Sequence, residues 1–119
     1  FLFTIWPSFH PTSCIAVKKN FLKQFFKYAE EKKFPNLEID ARICIFAFLK
    51  REFIVTNKSL TFYNFDQYGI TSKYKKFSLL WWKKRSEAFE YTKFLTKKMN
   101  KKFFKGPDYY ITKLVNLFF

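Results

Sequence analysis

Apolar residues recur along the first half of the chain at helical spacing. Phe21, Leu22, Phe25, Phe26 and Ala29 fall at i, i+1, i+4, i+5 and i+8. That is one stripe of an amphipathic helix over residues 18–33, with lysines on the other face and Pro35 closing it. Leu37 and Ile39 alternate around Glu38, the pattern of a short strand. Asp40 is a good N-cap for a second helix over residues 40–52, whose core face is Ile43, Phe46 and Ala47 with the Lys50 stem. Phe25, Phe26, Ile43, Phe46 and Leu49 are the expected core of this half.

Strand patterns dominate afterwards. Residues 53–56 are β-branched and aromatic, 57–59 turn, and 60–65 alternate, which together read as a hairpin. Gly69 marks a further turn. Residues 77–82 read as a buried strand, 86–92 as strand passing into helix to Met99, Gly106-Pro107-Asp108 as a turn, and 109–119 as a final strand. Residues 1–17 read as an irregular arm or strand punctuated by Pro7 and Pro11. The expected class is α+β: a helix-strand-helix-strand-strand first half, residues 1–66, packed against a more β-rich basic second half, residues 67–119.

Charge separates the two halves. Residues 67–119 hold thirteen Lys or Arg against three acids, and residues 1–66 ten against six, so +10 and +4 of the total +14. Aromatics make up 24% of the chain and interleave with the bases, as in Trp81-Trp82-Lys83-Lys84-Arg85 and Lys101-Lys102-Phe103-Phe104-Lys105. So lopsided a balance calls for a polyanion, either nucleic acid phosphates or an anionic membrane surface. A solvated basic face is the plainer account, but mixed-sign surfaces keep a protein soluble with less self-repulsion. Nineteen Phe and seven Tyr beside many Lys fit an AT-rich coding sequence, a bias frequent in organelle genomes.

Several classes fall away. The longest unbroken apolar run, residues 43–49, is far short of the roughly 20 residues a bilayer span needs. The apolar residues 1–7 lack a basic leader and are cut by Pro7, so they do not read as a secretory signal. Cys14 and Cys44 are isolated and His10 is the sole histidine, too few ligands for a zinc site or a disulfide framework. Glu30-Glu31 read as surface partners of nearby lysines rather than an acid/base pair, and two glycines build no phosphate-cradling loop. No enzyme, cofactor or small-molecule substrate is expected.

At Leu49-Lys50-Arg51-Glu52-Phe53-Ile54 the chain resembles the eighth small-subunit ribosomal protein family, bacterial type, in a divergent organellar form. That family ends its second helix with Leu-Lys-x-Glu-Gly and enters a strand through an aromatic and Ile; here Glu52 runs straight into Phe53. Phe21-Leu22-Lys23-Gln24-Phe25-Phe26-Lys27 looks like the family's first helix, and Leu37-Glu38-Ile39 sits where its first strand would be. Lys84-Arg85-Ser86-Glu87-Ala88-Phe89-Glu90-Tyr91 with Leu95 echoes its Arg-x-Tyr region. Ile111-Thr112-Lys113 stands where the family has an RNA-gripping Ser-Thr-Ser-x-Gly loop.

The resemblance implies a structural protein of a mitochondrial small ribosomal subunit, in the matrix. Ribosomal RNA and neighbouring ribosomal proteins would be its partners. Lys83, Lys84, Arg85, Lys97, Lys98, Lys101, Lys102, Lys105, Thr112 and Lys113 are the candidate RNA contacts. Lysine and arginine would hold phosphate, and whichever of Trp81 and Trp82 faces outward could stack on a base or touch a neighbour. The competing reading is an accessory subunit of a mitochondrial membrane-protein complex, its basic face on anionic lipid. The bases are spread over several elements rather than one amphipathic helix, which favours RNA.

Overall fold

The structure, a computed structural model, describes residues 15–56 and 75–118. Four α-helices account for its regular structure together with one short 3₁₀ turn, and no strand occurs among the described residues. The helices are α1 (Lys19–Phe26), α2 (Ile39–Lys50), α3 (Leu79–Lys98) and α4 (Pro107–Phe118). The expected α+β class is therefore corrected to all-α. The first arm up to residue 14, the turn at 57–59, the strand at 60–65 and the Gly69 turn lie outside the described residues.

α3 is the central element, packed against both α2 and α4. Its buried residues Ala88, Phe89, Tyr91, Thr92, Leu95 and Thr96 recur at i, i+1, i+3, i+4, i+7 and i+8, a helical stripe through the stretch expected to be strand. Ser78 starts this helix. Its backbone is extended, and its hydroxyl accepts a hydrogen bond from the Trp81 N–H at 3.2 Å, which satisfies an orphan donor of the first turn. The expected strand at 77–82 is thus a capped helix N-terminus.

The last helix corrects a second strand. Pro107 occupies the first helical position, where its missing N–H costs nothing, and Asp108 adds a carboxylate to the positive end of the helix. The tripeptide Gly106-Pro107-Asp108 opens a helix instead of a turn. Tyr109 and Thr112 are buried and Val115 and Asn116 half-buried, an inward spacing of three to four that strand alternation cannot produce.

In the first half the two expected helices form, with shorter bounds. α1 ends at Phe26 rather than at residue 33, and side chains from other helices hold the backbone carbonyls that follow. The Tyr91 hydroxyl donates to the Tyr28 carbonyl at 3.0 Å, and Arg42 donates to the carbonyls of Ala29 (2.9 Å) and Phe34. Glu30 then turns the backbone left-handed at φ 45° before the 3₁₀ turn Glu31–Lys33. Residues 37–39 are turn and helix start, not strand, and Leu37 N–H donates to the Phe34 carbonyl at 3.1 Å. The N-cap of α2 is Glu38, while Asp40 lies in the first turn and its carboxylate accepts from Ala41 N–H at 2.7 Å. Residues 52–56 follow α2 without regular structure, although a strand was expected at 53–56.

The core joins three of the helices and the turn between α1 and α2. Phe25, Phe34, Leu37, Ala41, Ile43, Ile45, Phe46, Ala88, Tyr91 and Leu95 form one buried cluster, with Leu49 partly buried against it. Of the five expected core residues Phe26 is the exception, 61% exposed. Scarcity of glycine shows at the helix ends. Arg51 (φ 58°) and Asn100 (φ 51°) take the left-handed positions after α2 and α3. Bonds from Glu52 N–H to Ala47 C=O (3.0 Å) and Lys101 N–H to Thr96 C=O (2.7 Å) close each helix in Schellman fashion.

Candidate nucleic-acid interface

The basic residues of the second half divide into those that hold the fold and those that face outward. Lys84 pairs with Glu38, tying α3 to the N-terminus of α2, and both side chains are largely covered. Arg85 pairs with Asp108 through Nε at 3.1 Å and through its terminal nitrogen, and its guanidinium lies 4.8 Å from the Trp81 ring centre. This pair anchors the first turn of α4 on α3. Lys101, though exposed, donates its Nζ to the Leu49 carbonyl at the end of α2. Lysine there satisfies a carbonyl that the helix leaves unpaired.

Thr112 is buried, its hydroxyl without a hydrogen-bond partner among the described residues, and so offers no surface to RNA. Lys113 is exposed and sits 3.3 Å from Glu90. Its hydrogen bond to that carboxylate, and the accompanying charge attraction, raise its pKa above the ordinary lysine range. Lys83, Lys97, Lys98, Lys102 and Lys105 are exposed, and none makes an ion pair with a described residue. Lys97, Lys98, Lys102 and Lys105 belong to the last turn of α3 and the connection to α4. Phe104, 59% exposed, lies among them.

One member of this surface was missing from the expected contacts although it falls in the segment expected to be helix. Lys93 is exposed on α3 and lies one turn before Lys97, so the two share a face. The signal was the i, i+4 spacing of two lysines on a helix. The first helix carries a row of its own, with Lys19, Lys23 and Lys27 exposed at four-residue intervals.

The interior polar groups are structural. Arg42 is buried on two carbonyls, and Tyr91 is buried with its hydroxyl on a third; burial pushes the Tyr91 phenol well above the ordinary tyrosine range, nearby Arg42 opposing and Glu30 adding. Burial, with Asp40 adding, raises the Cys44 thiol as well, which disfavours the reactive thiolate. No group of three or more His, Cys, Asp or Glu placed to hold a metal ion occurs among the described residues. No described helix is long and apolar enough to cross a membrane. No protein family, curated protein or solved structure matches this chain.

Proposed function

We propose that this chain is a structural RNA-binding protein, holding phosphate with Lys93, Lys97, Lys98, Lys102 and Lys105. The observation that carries the reading is this group of outward lysines, exposed and without carboxylate partners among the described residues, at the C-terminal end of α3 and along the segment leading to α4. Lysine contacts to phosphate supply affinity and orientation without reading bases, which suits a component that packs on folded RNA. Exposed Phe104 among them supplies a stacking face for an unpaired base.

A mitochondrial small ribosomal subunit is the assembly we assign it to, and the support for that is compositional. Phe, Lys and Tyr are heavily used, and the net charge is +14. The likeness to the eighth small-subunit ribosomal protein family lends no fold argument, since the segment matched to its first strand is a turn and a helix start.

Binding of the full chain to a structured RNA across a salt series tests the proposal. Each lysine removed from a phosphate should lower the slope of log affinity against log salt by roughly 0.7 to 0.9. Changing Lys97, Lys98, Lys102 and Lys105 together to Gln should therefore flatten it by about three. An unchanged slope in that variant overturns the assignment. Co-sedimentation with ribosomal particles tests the assembly separately.

A further inference from the structure

The opposite end of α3 presents a surface of another kind. The Asn116 side-chain amide donates to the Trp82 carbonyl at 3.2 Å, which sets the C-terminal half of α4 beside the first turns of α3. Apolar side chains from both helices project there. Leu117 and Phe118 are 80% and 79% exposed; Leu114, Leu79, Leu80 and Phe77 are also exposed. Behind them Trp81 and Trp82 are half-buried, their rings 4.7 Å apart and the Phe77 ring 5.4 Å from Trp81. Phe77 holds a left-handed backbone (φ 67°), a conformation disfavoured for so bulky a residue, with its ring in solvent.

Bases rim this apolar end. Lys75, Lys76 and Lys83 are exposed, make no ion pair with a described residue, and are close by in sequence. Lys76 Nζ lies 5.2 Å from the Phe77 ring centre. Clustered Leu, Phe and Trp with lysines around them are the side chains that favour the boundary between lipid headgroups and acyl chains. RNA alone leaves the leucines uncovered, for they offer phosphate no donor. A second copy would bring two chains of +14 together.

We propose that this end of the molecule, the first turns of α3 with the C-terminal half of α4, docks on an anionic lipid surface. Leu114, Leu117, Phe118 and Phe77 enter the headgroup boundary, while Lys75, Lys76 and Lys83 meet lipid phosphates. The helices lie on the bilayer and do not span it. The lysines assigned to RNA sit near the far end of α3, whose 20 residues extend about 30 Å, so the two surfaces can be occupied together.

Flotation of the full chain with phosphatidylcholine vesicles, with and without phosphatidylglycerol, tests the docking. The chain should float with the anionic vesicles only. Leu117→Ser with Phe118→Ser should reduce partitioning by at least about tenfold, as two side chains lose their burial in lipid. Both positions are largely exposed, so circular dichroism should show the fold unchanged. Ile54→Ser, at a site 97% exposed and outside the patch, should bind like the parent. Lys75→Gln with Lys76→Gln should weaken flotation and its salt dependence. Equal binding to neutral vesicles, parental binding by the Leu117/Phe118 variant, or no flotation at all overturns the proposal. So does a self-association that this same variant abolishes, which would assign the patch to a second copy. Loss of RNA binding, but not of flotation, in the Lys75/Lys76 variant would assign the rim to RNA instead. The Lys97/Lys98/Lys102/Lys105 variant should float normally, which separates this surface from the RNA reading.

Discussion

Phe46 and Phe26 look alike in the sequence, each on the apolar stripe of a helix, yet truncating them should have very different effects. Phe46 is 1% exposed. Its ring centre lies 5.2 Å from that of Phe21, 5.8 Å from Phe25 and 5.5 Å from Tyr28, so it joins α2 to α1 and to the turn after α1 through three aromatic contacts. Phe46→Ala removes the transfer free energy of the ring and leaves a cavity that these neighbours can only partly fill, a loss of about 3–5 kcal/mol. Phe26 touches the Phe25 ring alone among the described aromatics, at 5.7 Å, and faces solvent. Phe26→Ala should change stability by about 0.5 kcal/mol or less, since Ala also has the better helix propensity. Urea unfolding followed by far-ultraviolet circular dichroism reads both. With a slope of about 1–3 kcal/mol per molar urea, the Phe46→Ala midpoint should fall by roughly 2 M. Domains of this size hold only about 5–15 kcal/mol, so Phe46→Leu provides a milder step in the same direction if the alanine variant does not fold. A Phe46→Ala loss below about 1 kcal/mol, or equal losses at the two positions, would refute the helix registers and the packing of α1 on α2.

Two further outcomes follow from the polar contacts. Tyr91→Phe should cost about 1 kcal/mol by leaving the Tyr28 carbonyl unpaired. It should also flatten the alkaline limb of the stability profile: the fold holds the Tyr91 phenol neutral, while the unfolded chain ionises near pH 10, so stability present below that pH is lost as pH rises above it. Urea midpoints at neutral pH and above pH 10 measure both effects. Arg85→Ala should cost about 2–3 kcal/mol, since it strands the largely covered Asp108, and Arg85→Ala with Asp108→Ala should recover part of that loss in a double-mutant cycle.

How much of the fold was legible depended on which signal was used. Periodicity found α1 and α2, and it put Phe25, Ile43 and Phe46 in the core. Strand propensity failed at 77–82 and 109–119, because Phe, Tyr, Trp and Ile are counted as strand formers. In a chain that is 24% aromatic, those residues are everywhere, so their presence says little about local structure. The caps were the better guide: Ser78 three residues before Trp81, and Pro107-Asp108 opening a helix. Tyr109, Thr112 and Asn116 at three- and four-residue steps carry the period of α4. The path of the chain after α1 could not be seen locally, because Arg42 and Tyr91 hold the carbonyls of residues 28, 29 and 34 from other helices.

The basic surface was legible as an amount, and only the fold assigns it to residues. Residues 75–118 contain twelve bases and three acids, so at least nine bases there have no acid of that segment to pair with in any fold. The three acids are spent inside the molecule. Glu87 accepts from the backbone N–H and side-chain amide of Asn36 at 2.7 and 2.5 Å, Glu90 faces Lys113, and Asp108 holds Arg85. Each joins two elements, so acids are used to hold the helices together and the surplus bases are left at the surface. Lys83, Lys84 and Arg85 show why a run of bases is not itself a site. On a helix consecutive residues point about 100° apart, so Lys83 faces solvent while Lys84 turns to Glu38 and Arg85 to Asp108. A phosphate backbone can reach Lys83 without disturbing the fold, whereas reaching Lys84 or Arg85 requires it to outcompete a largely covered carboxylate. The spacing of bases along a helix face, rather than their density along the chain, is therefore what should govern where a polyanion lies.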